Sequence, residues 1–191
     1  MRSRLLVCKI GLPALFIAML LVACENDINK IKALAAADST KPIQQTTDID
    51  LIYSDSALVK FRLNAPLMIE YMIAKPYKVL PKGIRITFLD KDAKPAGTIT
   101  ADSALTRNDD KFIEFHHNVV ATNAEGTVYK SEELIWDMAF KQIYSNKQVE
   151  MTKVGGDIMR GTSFKSDDAL KHPIFQNATG TIHVNGDGLS Q

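Results

Sequence analysis

Three adjacent carboxylate pairs, Asp109-Asp110, Glu132-Glu133 and Asp167-Asp168, are the first residues to ask about chemistry. Glycoside hydrolysis needs two carboxylates about 5–10 Å apart on either side of one bond. Neighbours along a strand point to opposite faces, so an adjacent pair offers one member to any given cleft. Two of the pairs also sit in or beside turn sequences, where Asp supports the local backbone. His116-His117 is the histidine cluster, with His172 and His183 apart from it. A metal needs converging ligands, and strand neighbours diverge. No Gly-x-Ser-x-Gly, phosphate loop or dinucleotide fingerprint occurs. The sequence therefore reads as a non-enzyme, with no cofactor and no metal. Asn177-Ala178-Thr179 fits a glycosylation sequon, which is read here as chance.

The two cysteines are informative by position. Cys8 lies inside an N-terminal leader and Cys24 ends it. Arg2 and Arg4 form a basic start, Leu12 to Val22 makes most of an apolar stretch, and Leu21-Val22-Ala23-Cys24 closes it. Lys9 and Pro13 interrupt the apolar run, leaving it far short of the ~20 residues needed to span a bilayer. Residues 1–23 read as a secretory signal peptide whose ending resembles the bacterial lipobox, with Cys24 as the lipidated first residue of the mature chain. With no second cysteine after residue 24 there is no disulfide to form, so stability must come from core burial.

Removing residues 1–23 takes away Arg2, Arg4 and Lys9, leaving 20 basic residues against 22 acidic ones. A nearly neutral chain without a basic block or interleaved aromatics is a poor match for nucleic acid, whose binding rests on phosphate neutralisation. At 46% hydrophobic and 24% charged residues the composition is that of a globular domain.

The elements that hold these residues are strands, and they repeat. GTITADSALTRNDDKFIEFHHNVVATN, from Gly97 to Asn123, returns as GTVYKSEELIWDMAFKQIYSNKQVEMT from Gly126, and a weaker copy opens at Gly156. Ile99 answers Val128, Ser103 answers Ser131, and Lys111-Phe112-Ile113 answers Lys141-Gln142-Ile143. Fixed-period similarity of a strand pair predicts a stacked antiparallel β structure.

Before the repeats, residues 24–48 form a polar and Ala-rich segment read as a lipidated tether, and the folded domain is expected over 49–191. Leu51 to Ser54 predicts a first strand, followed by a turn at Ser54-Asp55-Ser56. Val59, Phe61 and Leu63 alternate with Lys60, Arg62 and Asn64, the period of a half-buried strand. Pro66 is expected to end it by removing a ladder donor. Leu67 to Met72 fits either a strand or a helical turn. Ile84, Ile86 and Phe88 alternate again, and Ile99, Ile113, Phe115, Val128, Leu134, Trp136 and Ile143 continue the inward series. Strands at roughly ten-residue spacing with turn signals predict an all-β sandwich or barrel-like fold. Its apolar interior is a solid core if plugged by side chains, and a groove if not.

Ile52-Tyr53-Ser54-Asp55, followed by Val59 to Pro66, resembles the opening of the lipopolysaccharide-export LptC family. Ile99 to Asp102, Lys111 to Glu114, Asn118-Val119-Val120, Tyr129 to Asp137 and Ile143 to Asn146 are similar to its repeats, and the likeness covers about residues 49–170. It implies an open, twisted β-jellyroll whose apolar groove holds the acyl chains of lipopolysaccharide. It also implies a partner at each end: an inner-membrane ABC transporter and a periplasmic jellyroll bridge protein. Members are often held by a transmembrane helix, whereas this chain carries the lipobox, so a lipid on Cys24 is expected to anchor it on the periplasmic face of the inner membrane. Phe61, Ile86, Phe88, Ile99, Ile113, Phe115, Val128, Leu134, Trp136 and Ile143 are the expected groove residues. The rival readings are a structural or adhesive surface lipoprotein with a solid β core, and an enzyme acting on envelope glycans through Asp109, Glu132 and Asp167.

Overall fold

The computed structural model describes residues 44–182, apart from Ala74, Asn108 and Asp109. Cys24 and the first part of the expected tether lie outside the described residues. Those described fold into fourteen antiparallel strands: β1 (Gln44–Asp55), β2 (Leu58–Tyr71), β3 (Tyr77–Leu80), β4 (Ile84–Leu89), β5 (Pro95–Ala101), β6 (Ser103–Arg107), β7 (Phe112–Asn123), β8 (Val128–Asp137), β9 (Gln142–Ser145), β10 (Val149–Thr152), β11 (Ile158–Gly161), β12 (Ser163–Asp167), β13 (Ile174–Gln176) and β14 (Thr179–Thr181). The all-β expectation holds. β1 starts at Gln44, so strand pairing reaches into the stretch read as tether.

Pairing divides the strands into two facing layers. Residues 61–64 of β2 pair with β4, whereas residues 69–71 pair with β3. Likewise β7 pairs with β6 through its first half and with β5 through its second. β8 pairs with β10 at its start and with β9 at its end. One layer thus runs β1-β2-β4-β5-β7-β8-β10-β11-β14, and the other runs β1-β2-β3-β6-β7-β8-β9-β12-β13. This alternation of hairpins between two sheets is a jellyroll.

The points at which strands pass between layers form a single line of corners. Asp48, with φ 53°, stands opposite Pro66 in the β1–β2 ladder. Gly83 (φ 98°) turns the chain from β3 to β4. The Asp102 N–H, between β5 and β6, donates to the His117 carbonyl at 3.0 Å. His117 and Asn118 have φ 62° and 48°, and the Asn118 amide donates to Asp102 at 2.6 Å. Ser131 of β8 donates to the Gln148 carbonyl at 2.8 Å, and Asn177 donates to Thr162 at 3.0 Å. Left-handed backbone is disfavoured for most residues, and Asn and Asp tolerate it best, which fits Asp48, Asn118 and Asn177, the last with φ 48°.

Pro66 does not end its strand; β2 runs on to Tyr71, and Leu67 to Tyr71 is strand, not helical turn. The reason is local. The β4 ladder stops at Asn64, the β3 ladder begins at Ile69, and Asp48, in the left-handed region, lies opposite on the β1 side. Pro66 therefore sits where no neighbour asks for its missing N–H.

Candidate functional site

The inward faces of the two layers meet in one apolar interior. Ile86, Ile99, Phe115, Leu134 and Ile143 are completely buried, with Ile113, Phe61 and Trp136 nearly so. Phe88 is partly buried and packs against the same cluster. Nine of the ten expected groove residues therefore share this interior. Val128 does not: it is half-buried, and Tyr129 takes the inward place. The turn before β8 sets this register. The Asn123 side-chain oxygen accepts from the Glu125 and Thr127 N–H groups at 3.0 and 2.9 Å, and Thr127 is buried, so inward positions shift by one from the repeat at Gly97.

Gly97 itself is needed for close approach. A Cβ there would lie 2.7 Å from the Thr122 carbonyl oxygen across the β5–β7 ladder. Along the side opposite the corners, the rims of the two layers leave a crevice of about 350 Å³. Tyr53, Phe61, Phe88, Leu89 and Ala96 line it from one layer, and Trp136, Met138, Lys141 and Asp168 to Leu170 from the other. Trp136 is gripped edge-on by Phe61 and Phe88, at ring separations of 5.1 and 5.0 Å, while Tyr53 stacks on Phe61 at 4.9 Å. Offset and edge contacts of this kind add to the area each ring buries. Among the described residues the Trp136 indole N–H has no hydrogen-bond partner.

Sequence reading missed the residues that close the rim. Leu170 lies in the β12–β13 loop yet is buried, with φ 56°. Its carbonyl accepts from the Tyr129 hydroxyl at 2.9 Å and from the Asn123 side-chain amide at 3.1 Å, both in the opposite layer. The loop is tied down at its base: the Asp168 N–H donates to the Lys141 carbonyl at 3.1 Å, and the Lys171 N–H to the Asp167 carboxylate at 2.8 Å. Burial opposes ionisation of Asp167, but the Lys171 N–H and the paired His172 outweigh it and hold the carboxyl below its ordinary range. Burial, with the charge of Asp167, pushes Asp168 the other way. Only the buried Asn and Tyr in an apolar repeat could have hinted at this contact.

The carboxylates considered for chemistry go elsewhere. Asp109 lies outside the described residues. Asp110 accepts from Thr106 at 2.6 Å and pairs with Lys78 at the β6–β7 turn. Glu132 is exposed at the corner side, 3.5 Å from His117, and Asp167 is spent on its own loop. The His116 and His117 rings are 6.4 Å apart, at the point where β7 bulges and His117 takes a positive φ.

The family described as lipopolysaccharide-assembly, LptC-related, matches residues 12–182. The chain belongs to this family. Membership makes it a component of lipopolysaccharide transport at the periplasmic side of the envelope, as the repeats resembled. No protein of curated function matches the chain.

Proposed function

We propose that this domain takes lipopolysaccharide from an inner-membrane ABC transporter and hands it, along the interior between its layers, to a periplasmic jellyroll bridge protein. The observation that carries the reading is the unbroken apolar interior running from Phe61 in β2 to Phe164 in β12, bounded by corners on one side and a rim crevice on the other. Burial of acyl CH₂ groups at about 0.8 kcal/mol each holds a multi-chain lipid without directional bonds. Energy for movement comes from the transporter, since the chain carries no nucleotide fingerprint.

The ends of the layers support the partner assignments. β1 is an edge strand twelve residues long, and Leu51, Ile52 and Leu58 on it and its hairpin are exposed. β13 and β14 end the two layers at the other side, with Ile174 exposed. Open edges with apolar side chains suit strand addition by a partner. A lipid on Cys24 supplies the membrane tether.

Photocrosslinking in cells tests the reading. Labels at Phe61, Phe88 and Trp136 are expected to capture lipopolysaccharide, whereas labels at the outward Arg62 and Arg85 are not. Equal capture from both sets would sink the assignment of the interior face.

A further inference from the structure

The interior is shut in this structure. With Ile86, Ile99, Phe115, Leu134 and Ile143 inaccessible, an acyl chain has no free path between the layers. Something at the rim must give way, and the described residues single out one element. Among the described residues, the hydrogen bonds that join one layer to the other away from the corners are those from Asn123 and Tyr129 to the Leu170 carbonyl. The Leu170 side chain fills interior space beside the crevice, from a loop whose next residue back, Ala169, is exposed.

We propose that residues 168–171 are a latch over the mouth of the groove, and that Leu170 occupies the place the leading acyl chain takes when lipid loads through the crevice. This rests on the lipid-carrier reading above. Leu170 is an unusual choice for a purely structural turn, because a leucine at φ 56° is disfavoured where Gly or Asn would be at ease. Its conformation is held by what it reaches across to, so releasing those contacts also relieves the backbone. Opening leaves every strand ladder intact: β12 and β13 stay paired through Ser163–Lys165 and Ile174–Gln176, and only the loop between them moves. The occupant is defined by the surroundings. Phe61, Phe88, Trp136 and Met138 make the crevice fit an alkyl chain.

A reversible clamp tests this. The full chain carries Ala96→Cys and Ala169→Cys, one on each side of the crevice, with Cys8 and Cys24 replaced by Ser so that no other thiol competes. The two thiols are bridged by a reductant-cleavable bismaleimide, and uptake of purified lipopolysaccharide is measured. Bridging is expected to slow uptake about tenfold or more, by removing the open state, and cleavage of the bridge to restore it. An unchanged far-ultraviolet circular dichroism spectrum shows that the bridged chain is folded. Uptake at the uncleaved rate while bridged overturns the latch alone. No uptake even by the unbridged chain removes the lipid-carrier reading, and the latch with it. As an independent readout, Leu170→Ala removes what must be displaced and is expected to speed uptake about threefold or more; slower uptake by a folded variant also overturns the proposal.

Discussion

The Tyr129 hydroxyl and the Leu170 carbonyl, 41 residues apart in the chain, meet at 2.9 Å across the two layers of the fold. Burial, reinforced by the charges of Glu125 and Asp167, pushes the Tyr129 phenol up to about 12 from its ordinary 10.0. Its folded value is raised, so its contribution is fully present below about pH 10 and is lost as pH rises toward 12. Stability of the wild-type chain is expected to fall across that window by about 2 kcal/mol on this account. In Tyr129→Phe, which cannot ionise, the fall over the same window should be smaller. At neutral pH this variant costs about 1 kcal/mol, because the Leu170 carbonyl keeps its bond from Asn123. Urea unfolding at stepped pH checks both numbers.

Trp136 is the sole tryptophan of the chain, so its fluorescence reports on the crevice it lines. Loading of lipopolysaccharide is expected to shift its emission, and no shift under conditions of demonstrated binding would place the lipid elsewhere. Trp136→Phe also removes a buried indole N–H that has no partner among the described residues. Its cost should stay under about 2 kcal/mol, below that of most aromatic truncations, since loss of packing is offset by loss of an unpaired donor.

Gly97→Ala is expected to destabilise the domain by about 1–3 kcal/mol. The added methyl meets the Thr122 carbonyl oxygen at 2.7 Å, a backbone atom at the end of the β5–β7 ladder. Thermal unfolding measures this directly, and a neutral result would mean that the two strands are less closely locked than the register implies.

His117 holds φ 62° at the corner of β7. His117→Gly should be neutral or mildly stabilising, and His117→Val should cost about 1–2 kcal/mol, because a β-branched residue resists the left-handed region. Equal effects of the two substitutions on the melting temperature would mean that the corner relaxes freely.

Ile52 is exposed on the edge strand β1. Ile52→Asp should leave stability within about 0.5 kcal/mol, as is usual for surface positions, while reducing co-purification with the transporter. Retained co-purification would move the docking surface off this edge.

The strands were legible because alternation exposes the buried face directly. Phe61, Ile86, Ile99 and Ile143 all lie where period-two reading puts them. Three kinds of feature were not legible. Pro66 has the sequence signature of a strand end, and only the placement of β4 and β3 on either side of it makes its missing donor harmless. Val128 has the signature of an inward position, and the Asn123 turn displaces it by one. Leu170 was invisible for a third reason: its burial depends on partners about forty residues away, which local pattern does not encode.

The line of corners has a mechanical consequence. Because β1, β2, β7 and β8 each run unbroken through it, the backbone itself joins the layers there, and ladder bonds stiffen each layer from end to end. Flexing at one corner therefore strains its neighbours, much as one page cannot lift the cover of a bound book alone. The compliance of the domain lies in its loops at the free margin, and force applied by a partner at one end is carried the whole length of the spine to the other.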